Sequence, residues 1–377
     1  MRVTLATYGS RGDVEPFVAL ALELKKLGAD VTLCIPPDEE FVGLADRFEI
    51  ATRTFPRAWH SWAEEQTTTA EEHVVSVDDY VRKYIDATFE PLRRAVDGAD
   101  ILIASGMLHF VSGSVAELTG VPYHFVIFAP NLLGSQAWQG AARAPLDAHR
   151  AANGLRLVGD VRRFLFSERP WLAADRVLAP ESGTADLHTV RTDAWVLNDE
   201  RVLPAELEAF LKAGPPPVYV GFGSMRVGTE IVRTATDAIR ANGCRAVISK
   251  GQSGLQLIDE LRDCFLVGEV NHQALFRRVA AVIHHGGAGT TYAAARARTP
   301  QVVVPQSASD QYFWADRVSA LGIGIKIDGA APSTTSLSHA IAIVLSDSMR
   351  NLARDVSARM RADGAAQAAR TILAETY

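Results

Sequence analysis

Short apolar runs rich in β-branched residues alternate along the chain with longer stretches whose apolar positions recur at helical spacing. In the first half the runs Val3–Thr7, Val31–Pro36, Ile101–Ser105, Tyr123–Ala129 and Arg176–Ala179 predict strands. In the second half Val218–Ser224, Cys244–Lys250, Cys264–Val270, Ala280–His284, Gln301–Pro305 and Ile323–Ile327 do the same. Near-continuous apolar runs of this length suit strands buried on both faces. Between them Glu15–Leu27 and Gly228–Asn242 carry the spacing of amphipathic helices. Strand–helix alternation predicts parallel sheets covered by helices, and meeting it twice predicts an α/β protein of two doubly wound, Rossmann-like domains.

The boundary is legible in the backbone chemistry. Ala213-Gly214-Pro215-Pro216-Pro217 lacks the N–H donors that a helix or a central strand needs. Val218-Tyr219-Val220 follows at once as the first strand of a second domain. The division expected is 1–198, a linker over 199–217, a second domain over 218–355, and a closing helical segment over 356–377. Two stretches break the alternation. Residues 55–90 hold Phe55, Trp59, Trp62, Tyr80, Tyr84 and Phe89, and residues 131–170 hold Trp138 and Phe164. Each aromatic alone reads as ordinary core; as a group they read as the wall of an apolar cleft, since insertions after strands build the ligand-facing edge of such folds.

Composition narrows the classes. The chain has 377 residues, a size suited to two domains of roughly 150–200 residues each. Its net charge of -6 argues against a nucleic-acid partner, because neutralising phosphates takes a basic excess. Cys34, Cys244 and Cys264 are far apart and match neither a metal-ligand spacing nor a disulfide framework. The opening MRVTLATYGS is not that of a signal peptide, and no stretch offers the roughly 20 apolar residues of a membrane span. A cytoplasmic location without integral membrane contact is the expectation.

The chemistry concentrates in loops after strands. His284-His285-Gly286-Gly287-Ala288-Gly289-Thr290-Thr291 follows an apolar strand and opens a helix. Small residues at a helix start present backbone N–H groups to an anion, and the helix adds about half a positive charge there. Thr290, Thr291 and the His285 ring offer further donors. A tight turn capped by threonine is the plainer explanation, but it gives no reason for two histidines and three glycines. Gly221-Phe222-Gly223-Ser224-Met225 follows the first strand of the same domain, and is either a bend or a second phosphate contact through Ser224. Neither loop is a P-loop or a clean dinucleotide fingerprint. Asp13, in Tyr8-Gly9-Ser10-Arg11-Gly12-Asp13, reads as an N-cap before Pro16 and also as a general base for a hydroxyl. Asp310-Gln311, after the strand Gln301–Pro305, suits the vicinal hydroxyls of a hexose or a solvated loop. No D-x-D triplet occurs, which argues against a diphosphate held through a divalent metal.

On these residues the chain resembles family 1 glycosyltransferases of the GT-B fold, in which two Rossmann-like domains face a central cleft. The likeness is to the actinobacterial enzymes that decorate antibiotics of the vancomycin group. It runs through YGSRGDVEPFVALALEL, PWLAADRVLAP, AELEAFLKAGPPPVYVGFGS, VGEVNHQALFRRVAAVIHHGGAGTTYAAARA and DQYFWADRV. The resemblance implies Asp13 as catalytic base with Ser10 and Arg11 beside it. It implies a diphosphate site of Ser224, His285, Gly287, Ala288, Gly289 and Thr290, with Val270 and Gln273 against base and ribose. Asp310 and Gln311 then read sugar hydroxyls. Trp59, Trp62, Phe128 and Trp138 are the candidates for the acceptor wall in the first domain, and His109 either lines that site or is a packed loop histidine. The last helix would cross back onto that domain.

The function implied is inverting, metal-independent hexose transfer from UDP-glucose or a dTDP-deoxysugar to a hydroxyl of an apolar aglycone in antibiotic or secondary-metabolite biosynthesis. No cofactor is implied beyond the nucleotide sugar as co-substrate; the partners are that sugar and a small-molecule aglycone, in a monomer or weak homodimer. The segment 131–170 is shorter than in the glycopeptide enzymes, leaving room for a polyketide or other aromatic aglycone. Two competitors stand beside this reading. A nucleotide-sugar epimerase on the same fold would act on the donor alone. A non-catalytic binding or activator partner would be expected to have lost Asp13 or the histidine–glycine loop.

Overall fold

The computed structural model describes residues 1–62, 77–134, 137–180, 187–252, 254–259, 261–306 and 310–375. By its internal contacts the chain divides into two compact units. The first comprises Met1–Ala174, Glu181–Leu197 and Arg361–Tyr377, and the second Asp175–Pro180 and Asn198–Met360.

In the first unit the strands are β1 (Arg2–Tyr8), β2 (Asp30–Ile35), β3 (Ala51–Thr54), β4 (Ile101–Gly106), β5 (Tyr123–Ile127), β6 (Trp171–Leu172) and β7 (Val190–Arg191). They form a sheet of order β3-β2-β1-β4-β5-β6-β7, all pairs parallel. The helices are α1 (Arg11–Lys26), α2 (Glu39–Arg47), α3 (Val77–Ala95), α4 (Ser112–Thr119), α5 (Ala137–Ala152) and α6 (Val161–Phe166). Val14, Phe17, Val18, Leu20 and Leu24 of α1 pack with Val3, Leu5, Leu33, Ile101 and Ile103 of the sheet. Side chains of this size each stabilise by about 1.5–3 kcal/mol when fully buried. Ala365, Ala368, Ala369 and Ile372 of the last helix, Gly364–Ala374, join the same core. That helix starts tightly: a Cβ on Gly364 would lie 2.5 Å from the Ala194 carbonyl oxygen.

In the second unit the strands are β8 (Val218–Gly221), β9 (Ala246–Ser249), β10 (Cys264–Val267), β11 (Ala281–His284), β12 (Gln301–Val303) and β13 (Gly324–Lys326). The order is β10-β9-β8-β11-β12-β13, again parallel throughout. Its helices are α7 (Ala205–Lys212), α8 (Thr229–Ala241), α9 (His272–Leu275), α10 (Ala288–Arg296), α11 (Asp310–Ala320), α12 (Thr334–Val344) and α13 (Asp347–Arg359); Gly364–Ala374 is therefore α14. Alternate strand residues feed two cores. Val218, Val220, Ala281 and Ile283 pack with Val232, Ile239, Leu337 and Ile341 of α8 and α12. Tyr219, Val247 and Val282 pack on the other face with Leu207 and Leu211 of α7 and with Leu275 and Phe276. Both faces being covered explains why these strands read as unbroken apolar runs.

Three differences from the sequence reading have local causes. Arg176–Ala179 is a turn, not a strand, because Asp175 captures the backbone N–H groups of Val177 and Leu178 at 2.8 and 3.3 Å. Strands β6 and β7 have two residues each, too few to show a period, and β3 is largely exposed. The helix expected from Glu15 begins at Arg11 because Ser10, not Asp13, is the N-cap.

Candidate functional site

In each sheet the strand order reverses direction beside its first strand, between β1 and β4 in one and between β8 and β11 in the other. Ligands of doubly wound sheets bind outside the carboxyl ends of the strands at such a switch point. The loops singled out in the sequence leave β1, β8 and β11 at those ends.

After β1, Ser10 and Asp13 form a capping box. The Ser10 side chain accepts the Gly12 N–H, and the Asp13 carboxylate Oδ2 accepts the Ser10 N–H at 2.8 Å and its hydroxyl at 3.2 Å. A Cβ on Gly9 would stand 2.3 Å from that oxygen, so glycine is required for the carboxylate to fold back over the loop. Asp13 is half-buried, and Arg11 pairs with Glu15 at 3.0 Å. Beneath it the hydroxyls of Thr7, Ser105 and Tyr84 are buried without a hydrogen-bond partner among the described residues. Burial, then the neighbouring Tyr8, Tyr80 and Asp13, holds the Tyr84 phenol protonated well above its ordinary range.

Among the aromatics of residues 55–90, Phe55, Trp62 and Tyr84 are packed inward. Tyr8 meets Phe55, Trp59 and Tyr84 edge-on at 5.2, 5.9 and 5.4 Å, and Trp62 meets Tyr84 at 5.4 Å. Trp62 is 3% exposed with the Arg57 guanidinium over its ring, which corrects its placement in an acceptor wall: it is core. Trp59 is half-buried, its backbone N–H donating to the Asp38 carboxylate at 2.7 Å. Phe128 is half-buried between Phe17 and Trp195. His109 stacks edge-on with Phe110 at 4.0 Å; burial, opposed by a hydrogen bond with the Gly106 backbone, brings its pKa down to about 4. Trp138 stands in the first turn of α5, and its side chain lies outside the described residues.

In the second unit His285 ties two loops together. A Cβ on Gly223 would lie 3.2 Å from the His285 ring, and one on Gly287 would lie 2.5 Å from its Nε2. Both glycines therefore make room for an imidazole, a different reason from the approach of an anion expected from the sequence. Burial brings the His285 pKa down to about 4, so the ring is neutral at pH 7 and has one N–H to give; its Nδ1 is buried with no partner among the described residues. Gly286 needs its positive φ of 95°, and a Cβ there would meet the Gln311 carbonyl at 2.9 Å.

Helix α10 starts at Ala288 behind Gly287 as N-cap, with no side chain capping it. The first-turn amides of an α-helix have no partner within the helix, and glycine has no side chain to supply one. Thr291 donates its hydroxyl to the Gly287 carbonyl at 2.9 Å, which corrects its reading as a ligand donor. Ser224 is exposed on the turn closed by Met225 N–H to the Phe222 carbonyl at 3.0 Å. Val270 is buried, and Asn271 caps α9, its Oδ1 accepting the Ala274 N–H at 2.9 Å; half-buried Gln273 accepts the Asp199 N–H at 3.5 Å.

The Asp310–Gln311 pair is split. Asp310 is half-buried, with one carboxylate oxygen accepting the Trp314 indole N–H at 3.0 Å. Gln311 is 4% exposed, its amide oxygen accepting the Gln306 N–H at 2.7 Å and its nitrogen on the Met225 sulfur at 3.4 Å. Its amide is thus engaged by protein groups at the start of α11. One pairing escaped the sequence reading: Gln301 and His284 are joined at 2.9 Å and both are wholly buried. The signal available was a polar residue at each end of otherwise apolar strands.

Two doubly wound parallel sheets with small-residue loops at their switch points suit ligands that carry phosphate, and the comparisons with known proteins give the class. Residues 3–61 match the glycosyltransferase family 28 N-terminal domain, and residues 242–376 match the erythromycin biosynthesis protein CIII-like C-terminal domain. The chain is 44% identical to a vancomycin aglycone glucosyltransferase of Amycolatopsis orientalis, over 99% of this chain and 97% of that protein. It is 42% identical to a dTDP-epi-vancosaminyltransferase of the same organism, over 94% and 93%. Among solved structures, the glycotransferase of kitacinnamycin superposes with a TM-score of 0.77 at 18% identity, covering 100% of this chain and 99% of that one. Spinosyn rhamnosyltransferase SpnG, complexed with thymidine diphosphate, gives 0.75 at 21%, covering 99% and 100%. The chain belongs to the GT-B glycosyltransferases of the glycopeptide-antibiotic type. Among the described residues no helix is long and apolar enough to cross a membrane.

Proposed function

We propose that the protein transfers a hexose from UDP-glucose or a dTDP-deoxysugar to a hydroxyl of an apolar natural-product aglycone, inverting the anomeric carbon and using no divalent metal. The observation that carries this reading is the uncapped first turn of α10, set behind a neutral histidine at the switch point of the second sheet. The amides of Ala288, Gly289 and Thr290, the His285 ring and the exposed Ser224 hydroxyl take the diphosphate. Val270 and Gln273 serve the base and ribose, and Asp310 a sugar hydroxyl. Ser10 and Arg11 flank the base, while Trp59, His109 and Phe128 serve the acceptor.

Asp13 takes the proton of the acceptor hydroxyl as that oxygen bonds to the anomeric carbon. The bond from that carbon to the diphosphate breaks with its electron pair, and the charge settles on α10. Donors fixed in place where charge develops stabilise the transition state more than the ground state. The names of the two relatives, one a glucosyltransferase and one using a dTDP sugar, keep both donor types in play. The test is a mass-spectrometric panel of UDP- and dTDP-sugars against glycopeptide and polyketide aglycones, with the anomeric configuration of any product read by NMR. A glycoside of opposite configuration to its donor, formed with chelator present, is the expected product. Retained configuration, or turnover abolished by chelator, overturns the mechanism.

A further inference from the structure

His284 is the fully buried neighbour of His285, and each of its ring nitrogens has one partner. Nδ1 lies 3.1 Å from the Gly286 N–H, and Nε2 lies 2.9 Å from the Gln301 amide oxygen. A backbone N–H can only donate, so Nδ1 is the unprotonated acceptor and Nε2 carries the proton it donates to Gln301. Gln301 is itself oriented, its amide nitrogen donating to the Thr291 carbonyl at 3.4 Å. The chain of bonds runs from the turn at Gly286, through His284 and Gln301 on adjacent strands, to the first turns of α10. Burial, then the nearby His285, opposed by the bond to Gln301, brings the His284 pKa down to about 3 and keeps the ring in the neutral form the chain requires.

This arrangement also removes the Gly286 N–H from the donors open to an anion. It fixes the one residue of the loop whose φ is positive, and with it the direction in which the loop enters α10. From these bonds we infer that His284 is a positioning residue for the diphosphate site: through Gly286 and Gln301 it aims the α10 amides without itself touching the phosphates. The inference rests on the donor-site reading above. His285 and His284 thus divide the labour of the twin-histidine motif, one facing the ligand loop and one holding it.

Three variants test it. His284→Leu removes both bonds; His284→Asn restores an acceptor near Gly286; Gln301→Met removes the partner of Nε2. UDP and dTDP binding is read by calorimetry, and binding of uridine and thymidine, which lack phosphates, by ligand-observed NMR. His284→Leu is expected to weaken the diphosphates by about tenfold or more while moving the nucleosides by less than about twofold, the scale of a lost buried hydrogen bond. His284→Asn should recover most of that loss, and Gln301→Met should reproduce part of it. If His284→Leu does not fold, Gln301→Met carries the comparison: it should weaken the diphosphates alone, while His284→Asn stays close to the wild type. Diphosphate and nucleoside affinities falling together, or neither changing, overturns the positioning role. Failure of the wild-type protein to bind either diphosphate overturns the donor-site reading instead.

Discussion

Asp13 serves two ends with one side chain. Its Oδ2 closes the capping box of α1, while the proposed chemistry needs the carboxylate to accept a proton from the acceptor. Asparagine separates the two, because an amide oxygen still accepts the Ser10 N–H but is no base. Asp13→Asn should therefore unfold within a few degrees of the wild type and bind dTDP and UDP unchanged. Its turnover should drop by about a hundredfold or more, as for removal of a general base. Thermal unfolding, calorimetry and a single-turnover assay check this, and near wild-type turnover would remove Asp13 from the mechanism. At this scale the sequence was an uneven guide. Residue types that chemistry needs stand out, so Asp13 and the twin histidines are conspicuous. Where a side chain points depends on partners far along the chain, and Gln311 shows it: its amide is engaged by Gln306 and Met225, neither of which its sequence setting advertises. The glycines mislead in the same way, since Gly223 and Gly287 yield space to the His285 ring.

Elements were more legible than side chains. Val3–Thr7 falls within β1, Ile101–Ser105 within β4, and Ala281–His284 within the apolar run that predicted it, because strands covered on both faces leave an unbroken apolar signature. Elements whose cause is not hydrophobic were missed. Strand β3 is held by pairing to β2 rather than by burial, and α1 starts early because a serine–aspartate capping box overrides the proline expected to mark its first turn. The aromatic segment was legible only in part for a related reason: its spacing shows that rings cluster, while the edge-on contacts of Tyr8 with Phe55 and Tyr84 required the structure. Helix α10 is the element that matters most, and its small-residue start was visible at once. That no side chain caps it, and that Thr291 is turned back to Gly287, required the structure.

At the scale of the whole molecule, the same strand order built twice places the loops after β1, β8 and β11 at carboxyl-end switch points. It also buries histidines in both units. Ring pKa values of about 4 for His109 and His285 and about 3 for His284 lie below the ordinary 6.5. A folded protein that refuses protons an unfolded chain accepts is at full stability above that ordinary value. It loses stability as the pH falls from there toward the folded values. Unfolding free energy from denaturant titration should thus decline between about pH 6.5 and about pH 5. The slope from His284 is about 1.4 kcal/mol per pH unit, with less from the two half-buried rings, which water still reaches. A flat profile over that range would contradict the neutral, buried assignment.

The central claim, that the first turn of α10 holds the donor's diphosphate, has one direct test in Gly289→Asp. Gly289 is exposed and a Cβ there meets nothing within 4 Å, so the substitution fits. An acidic residue at a helix start ordinarily stabilises the helix. Calorimetry of dTDP and UDP binding should show affinity lost by about a hundredfold in a protein whose unfolding temperature is unchanged or raised. Undiminished nucleotide affinity in that variant would contradict the account.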